Sequence, residues 1–438
     1  MNDPLTLTIT PRDPLIARDG RPFVAGLRMK SLDWFYPPVV AGSLRTLLGN
    51  LSGGFHSKED PMYVSQTDEL KAIGFGGPFP CENGQLYFPF PLDVEVSRDP
   101  NVGFQSYAAR PVELSKEFGA GSGCDLPGGL EPALLPELDD QFKPQKKPAF
   151  LSADLMTAWL LDAKGQHLSV NGLEHWPTGF LQAPAKDRRM HVKMNFASGA
   201  GVKDAGLFQT VAMDLYELPR DDAHAKNGAS PPSTTLSIRL DHPGGHASRL
   251  KELDSLSPLG GERRIAHWQI TTTTPKDWTS PKPLTDAFKQ LASQPRKIVR
   301  MVLATPAIFR EGWKPAWLTT TALNGRTLLC GQIPNTEITV RLISACVGRW
   351  QPISGWGYEP SRSGAKADHG RVGAKAVRRM VPAGSVYFLE VIDGDVRTLA
   401  GRWLQSVSDD LQDRLDGFGL ALWGLWSPQD DTHTFEVK

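Results

Sequence analysis

The sequence predicts an α+β protein made of two ferredoxin-like (RRM-like) domains with long inserted loops. Three observations carry that prediction. Apolar runs with a period of two recur in both halves, short helical stretches interleave with them, and 42 glycines and 36 prolines in 438 residues call for many turns. The first strand is Leu5-Thr6-Leu7-Thr8-Ile9, whose alternation suits a half-buried strand ending at Pro11. A helix follows over Val39 to Leu48, with Leu44, Leu47 and Leu48 as its apolar stripe, Arg45 beside it and Gly49-Asn50 as the stop. From Pro80 to Val96, Asn83-Gly84 sits between extended runs and predicts a hairpin. Helical spacing returns at Leu151 to Leu161 with Ser152 as a cap, and a strand spans Leu207 to Leu218.

Residues 119–148 hold ten glycines and prolines and predict an irregular surface insertion. Residues 220–232 contain no Ile, Leu, Val or Phe and end in Ser-Pro-Pro, so they divide a domain over 1–219 from one over 233–438. The second half repeats the pattern. Strands are expected at Leu236 to Leu240, Ile265 to Ile270, Ile298 to Phe309, Ile338 to Val347, Ser385 to Val391 and Phe418 to Trp426, with helices at Leu284 to Ala292 and Val396 to Leu404.

Composition excludes several classes. Forty per cent apolar and 22% charged residues fit a folded chain rather than a disordered one. Equal numbers of basic and acidic side chains, 48 of each, leave no net attraction for a polyanion, so any such site is a local patch. Cys81, Cys124, Cys330 and Cys346 form no C-x-x-C pair, which points away from a disulfide framework or zinc ribbon. With no basic leader ahead of an apolar segment and no long apolar run, the expected setting is the cytoplasm, away from membranes.

Charge is nonetheless concentrated. Residues 361–380 carry Arg362, Lys366, Arg371, Lys375, Arg378 and Arg379 against the single acid Asp368, within a glycine-rich loop spanning 355–384. Small residues between these cations let backbone and side chains approach phosphates together; a solvated loop has the same composition. A second basic window covers Lys186 to Lys203 and a third Thr10 to Lys30, followed by Trp34-Phe35-Tyr36, which serve either base stacking or the core. One polyanion site requires the fold to bring such windows together.

Signatures of catalysis are missing: there is no phosphate-binding loop, dinucleotide fingerprint, nucleophile elbow or H-E-x-x-H. His242 and His246 are separated by Pro243-Gly244-Gly245, which cannot be regular helix, so no metal ligand, cofactor or catalytic residue is expected.

The motifs themselves resemble a family. Thr10-Pro11-Arg12-Asp13-Pro14-Leu15, Arg18-Asp19-Gly20-Arg21-Pro22-Phe23 and Tyr36-Pro37-Pro38 running into Ala41-Gly42-Ser43-Leu44-Arg45-Thr46 are similar to the start of the RAMP-superfamily subunit that caps the crRNA 5′ end in type III-B (Cmr) CRISPR effector complexes. The resemblance continues through Leu259-Gly260-Gly261-Glu262-Arg263-Arg264, Thr305-Pro306-Ala307-Ile308-Phe309, Val381-Pro382-Ala383-Gly384-Ser385 and Gly417-Phe418-Gly419-Leu420. Residues 119–148 and 219–232 are long for that pattern.

That resemblance implies a non-catalytic crRNA-binding subunit in antiviral defence. It would hold the repeat-derived 5′ tag, contact the large polymerase-palm subunit and the repeated RAMP backbone subunit, and meet target RNA indirectly. The implied RNA-binding residues are Arg18, Arg21, Arg45, Arg263, Arg264, Lys366, Arg371, Lys375, Arg378 and Arg379. Arg18, Arg21 and Arg45 have a structural alternative as partners of Asp13 and Asp19. The functional alternative is a metal-independent crRNA-processing endoribonuclease of the same superfamily, which needs a base such as a histidine. The first forty-five residues contain none, whereas His191 stands close to Arg188 and Arg189.

Overall fold

The computed structural model describes residues 4–19, 31–57, 60–99, 101, 103–114, 118–119, 121–135, 142–164, 168, 176, 178–201, 206–215, 234–323, 326–359 and 371–427. In chain order the elements used below begin with β1 (Leu5–Pro11), α1 (Pro37–Leu51), α2 (Pro61–Ala72), β2 (Gly74–Glu82), β3 (Gln85–Pro89), β4 (Phe150–Ser152), α3 (Ala153–Leu161) and β5 (Phe180–Leu181). Then come β6 (Ala185–Val192), β7 (Leu207–Asp214), β8 (Thr235–Asp241), β9 (Asp254–Pro258), β10 (Ile265–Ile270), α4 (Lys282–Ala292), β11 (Lys297–Leu303), β12 (Thr319–Leu323), β13 (Arg326–Gln332) and β14 (Thr339–Cys346). The last are β15 (Gln351–Ile353), β16 (Arg378–Met380), β17 (Val386–Asp393), β18 (Gln405–Ser406), α5 (Leu411–Leu415) and β19 (Leu420–Leu425).

The fold is α+β, with an eight-stranded sheet in the order β9-β10-β1-β8-β2-β3-β4-β5 and a seven-stranded sheet in the order β12-β13-β14-β17-β11-β19-β18. Within the first, β10, β1, β8 and β2 are neighbours, all pairs antiparallel, and α1 lies on the crossover from β1 to β2. The second sheet repeats this strand order with β19, β11, β17 and β14, but its crossover from β11 to β14 carries the strands β12 and β13 where the first sheet has α1. Beyond the expected boundary, β8, β9 and β10 return to the first sheet. The chain therefore changes sheet between Ile270 and Lys297, not at 220–232, because β1 takes both its partners, β8 and β10, from residues after that segment.

Local sequence explains the main elements. Leu7 and Ile9 alternate inward from β1 with no exposure, while Thr8 bonds Thr271 at 2.9 Å. Asn83 and Gly84 both have positive φ, 51° and 77°, as a tight hairpin turn between β2 and β3 requires. Ser152 accepts from the Leu155 amide and caps α3. Two expectations are shortened. The strand from Ile298 ends at Leu303, since Pro306 has no amide to donate and the chain turns to pair Ala307 with Val381. Val396–Arg402 is a 3-10 helix capped by Asp395.

The sheets share one apolar core, in which Phe79, Phe88, Trp159 and Leu160 from the first meet Met301, Tyr387 and Trp423 from the second. Gly424 lets β19 press on α3: a Cβ there would stand 2.6 Å from the Leu160 carbonyl. Across the same seam, Arg300 of β11 pairs with Asp93 at 3.4 Å, each 1% exposed, and also bonds the Trp159 and Asp162 carbonyls while lying 4.4 Å over the Trp159 ring. Burial pushes the Asp93 carboxyl above its ordinary range, against the pull of Arg300. A second core joins β1 and β10 to α1 through Leu7, Ile9, Val40, Leu44, Leu48 and Trp268. Among the described residues no helix is long and apolar enough to cross a membrane.

Candidate nucleic-acid interface

A cavity of about 570 Å³ opens where three segments meet: Ile16 to Arg18 after β1, the outward stripe of α1, and the turn from Ser257 to Gly261 after β9. The helix stripe is Val39, Gly42, Ser43, Thr46 and Asn50, spaced at the helical period opposite the buried Leu44, Leu47 and Leu48. Gly42 leaves the helix backbone open, for nothing lies within 4 Å of the position a Cβ would take. Thr46 donates back to the Gly42 carbonyl at 2.9 Å.

The opposite wall depends on glycine. The Gly261 amide donates to the Ile16 carbonyl at 2.7 Å, and Gly260 has φ 77° with room for no side chain, a Cβ falling 2.3 Å from that oxygen. Glu262 and Arg263 continue in the left-handed region, and the Leu259 amide closes the turn on the Arg264 carbonyl at 2.8 Å. Arg263 projects exposed from this turn, whereas Arg264 folds back to Glu262 at 3.3 Å with its side chain 17% exposed. Among the described residues lining the cavity none is acidic, and Arg18 supplies a cation. Small residues, hydroxyls, an amide side chain and one guanidinium suit the sugars and phosphates of a single-stranded nucleic acid.

Two other basic segments are tied to the chain beside this cavity. Leu15 and Met213 exchange amide-to-carbonyl bonds of 2.8 and 2.7 Å, and Lys186 pairs with Asp33 at 3.0 Å, which ties the base of the β6–β7 ribbon to the loop after β1. The most basic segment arrives through the β15–β16 ribbon, where the Tyr36 hydroxyl at the start of α1 donates to Gln351 at 3.4 Å.

The ten implied residues fall into groups. Arg18 lines the cavity, Arg263 stands exposed at its turn, and Lys375 and Arg379 are exposed on the basic segment. Arg45 turns away, bonding Asp416 at 2.7 Å and the Leu70 carbonyl at 3.1 Å and lying 5.0 Å over the Phe75 ring; its carboxylate partner is neither Asp13 nor Asp19. Arg378 pairs with Asp413 at 2.8 Å. Arg371 lies in a ribbon pairing Trp356–Glu359 with Arg371–Ala374, while Arg21 and Lys366 lie outside the described residues. His191, on the β6–β7 ribbon, bonds Thr210 at 2.7 Å and stacks on Phe208, and does not line the cavity.

Gly42, Ser43, Thr46 and Asn50 were not among the residues anticipated. Their signal is the small, polar stripe on the back of an otherwise apolar helix. No group of three or more His, Cys, Asp or Glu side chains that could hold a metal ion occurs among the described residues.

The chain is similar to several known proteins. Over 95% of its length the chain is similar to 96% of a subunit in a cryo-EM structure of the type III-B Cmr-beta complex bound to cognate target RNA, at 12% identity and a TM-score of 0.42. A second structure of that complex, bound to target RNA and AMPPnP, gives the same identity and score over 95% of this chain and 93% of that one. A chain of the Csm3-Csm4 subcomplex of a type III-A interference complex matches at 10% identity and a TM-score of 0.36, covering 90% of this chain and 94% of that one. No curated protein matches the sequence. The family model of the CRISPR-associated protein (Cas_Cmr3) matches residues 7–426, nearly the whole chain. The chain therefore belongs to the CRISPR-associated protein (Cas_Cmr3) family, as its motifs implied.

Proposed function

We propose that this chain is the non-catalytic subunit of a type III-B effector complex that holds the repeat-derived 5′ tag of the guide RNA and bridges the large palm-domain subunit to the repeated backbone. The observation that carries the reading is the cavity of about 570 Å³ formed where three separate family motifs meet, with Arg18 on its wall and no acid among the described residues that line it. In this reading Arg18, Arg263, Lys375 and Arg379 meet phosphates, while Ser43, Thr46 and Asn50 meet sugar and base edges. Each sheet then corresponds to one ferredoxin-like unit, the support being the recurring order β10-β1-β8-β2 and β19-β11-β17-β14. The same assignment sets the protein in the cytoplasm beside its RNA, with target RNA reached only through the guide.

The test is purification from the co-expressed operon, followed by sequencing of bound RNA and identification of co-purifying polypeptides. RNAs sharing a repeat-derived 5′ end, together with the palm-domain subunit, are expected. Recovery of the chain without RNA from the full operon overturns the reading, and cleavage of precursor RNA by the isolated chain overturns its non-catalytic part.

A further inference from the structure

The β15–β16 ribbon sorts its side chains by strand alternation. Gln351 faces Met380, Pro352 faces Arg379 and Ile353 faces Arg378. Ile353 and Met380 turn into the core around α1, and Arg378 reaches the buried Asp413. The other face therefore carries Trp350, Pro352 and Arg379. Trp350 leaves 49% of its surface exposed, and the Arg379 guanidinium carbon stands 5.1 Å from its ring centroid. Arg349, next to Trp350 in sequence, is also exposed, as are Val377 and, toward the Gly355 end of the ribbon, Lys375.

We infer that this outer face is a base-stacking shelf, on which one unpaired nucleotide lies against Trp350 while Arg379 takes a flanking phosphate. Every base has a π-face, so such a platform holds single-stranded RNA without reading its sequence. An indole already flanked by a guanidinium is held in place for a flat ligand. The charge selects an anionic partner: Arg349 beside Trp350 and Arg379 over its ring are both exposed, and Arg379 belongs to the most basic segment of a neutral chain. The inference rests on the RNA-binding reading above and adds a contact outside the cavity, whose lining does not include Trp350.

The test uses the full-length chain purified with its co-expressed partners and stripped of RNA in high salt, with a labelled single-stranded RNA as probe. Trp350→Ala is expected to weaken binding roughly tenfold, within the range for one lost base stack. Trp350→Phe should keep most of the affinity, because it keeps a ring face, and the melting temperature should not move. Ultraviolet cross-linking should join RNA to the peptide containing Trp350. Wild-type affinity in Trp350→Ala, alongside lost affinity in the cavity variant Gly42→Leu, overturns the shelf and spares the RNA-binding reading. Loss of a partner subunit with RNA affinity intact shows a protein-docking face and also overturns it. Failure of the wild-type assembly to bind RNA removes both.

Discussion

Arg378, from the most basic segment of the chain, closes a 2.8 Å ion pair on Asp413, whose side chain is only 5% exposed. Asp413 belongs to α5, and three residues later Asp416 holds Arg45 of α1 at 2.7 Å. One short segment of the second half thus clasps the ribbon carrying the basic loop and the helix lining the cavity. Burial raises the Asp413 carboxyl above its ordinary range, against the downward pull of the Arg378 guanidinium bonded to it.

The cations should separate by phenotype. Arg378→Ala leaves a buried carboxylate without its partner and is expected to cost about 1–3 kcal/mol of stability. Lys375→Ala with Arg379→Ala changes exposed residues only and should shift stability by less than about 0.5 kcal/mol while weakening RNA binding. Thermal melting beside RNA titration checks both; a melting point lowered equally in the two variants contradicts the division.

Salt provides an independent check. If Arg18, Lys375 and Arg379 each neutralise a phosphate, the logarithm of affinity should fall with log salt at a slope of about −0.7 per contact for a single strand. The double variant should reduce the slope by roughly two such steps. An unchanged slope removes those lysine and arginine contacts.

The cavity can be filled without unfolding the helix. Gly42 sits within α1 with open space around it, so Gly42→Leu should raise stability by up to about 1 kcal/mol through helix propensity while abolishing tag binding. Gly260→Ala should behave oppositely in stability, losing about 1–3 kcal/mol to backbone strain and to the clash with Ile16. Circular dichroism melts of the two variants distinguish the outcomes.

The seam between the sheets should be the most sensitive point. Arg300→Ala strands Asp93 in a dry interior and is expected to cost about 3–5 kcal/mol. Denaturant titration measures this, and a loss below about 1 kcal/mol would mean that the pair is not buried in solution.

Asp277 gives a pH signature. Burial raises its carboxyl above the ordinary 3.8, although the Leu86 amide bonded at 2.9 Å pulls it down. Because the folded protein holds this proton more tightly than the unfolded chain, its contribution is full at low pH and is lost as pH rises through the raised value. Asp277→Asn should therefore gain on the wild type as pH climbs from about 4 toward neutrality, read as the difference between melting temperatures. A difference that shrinks over that window contradicts the assignment.

Legibility in the sequence followed the range of the interactions. Period-two runs, Asn83-Gly84 and the Ser152 cap act within a few residues, and they placed β1, the first hairpin and α3. The allocation of strands to sheets was not legible, because β1 pairs with Thr235–Asp241 and Ile265–Ile270, partners that no local signal names. The candidate site divides likewise. Glycine and arginine motifs marked the walls of the cavity, but only the fold shows that Arg45 and Arg378 bond to carboxylates in the C-terminal half. Trp350 was indistinguishable from a core aromatic until its surroundings were fixed.

The pairing of β1 also governs how the protein is made. Both neighbours of this strand are encoded more than half-way along the 438-residue chain, so during translation it leaves the ribosome long before anything can cover its edges. The cavity wall after β1 waits for the Gly260–Gly261 turn, and α1 waits for Asp416. A nascent chain that has not yet reached Gly261 and Asp416 accordingly lacks the contacts that set both walls of the cavity.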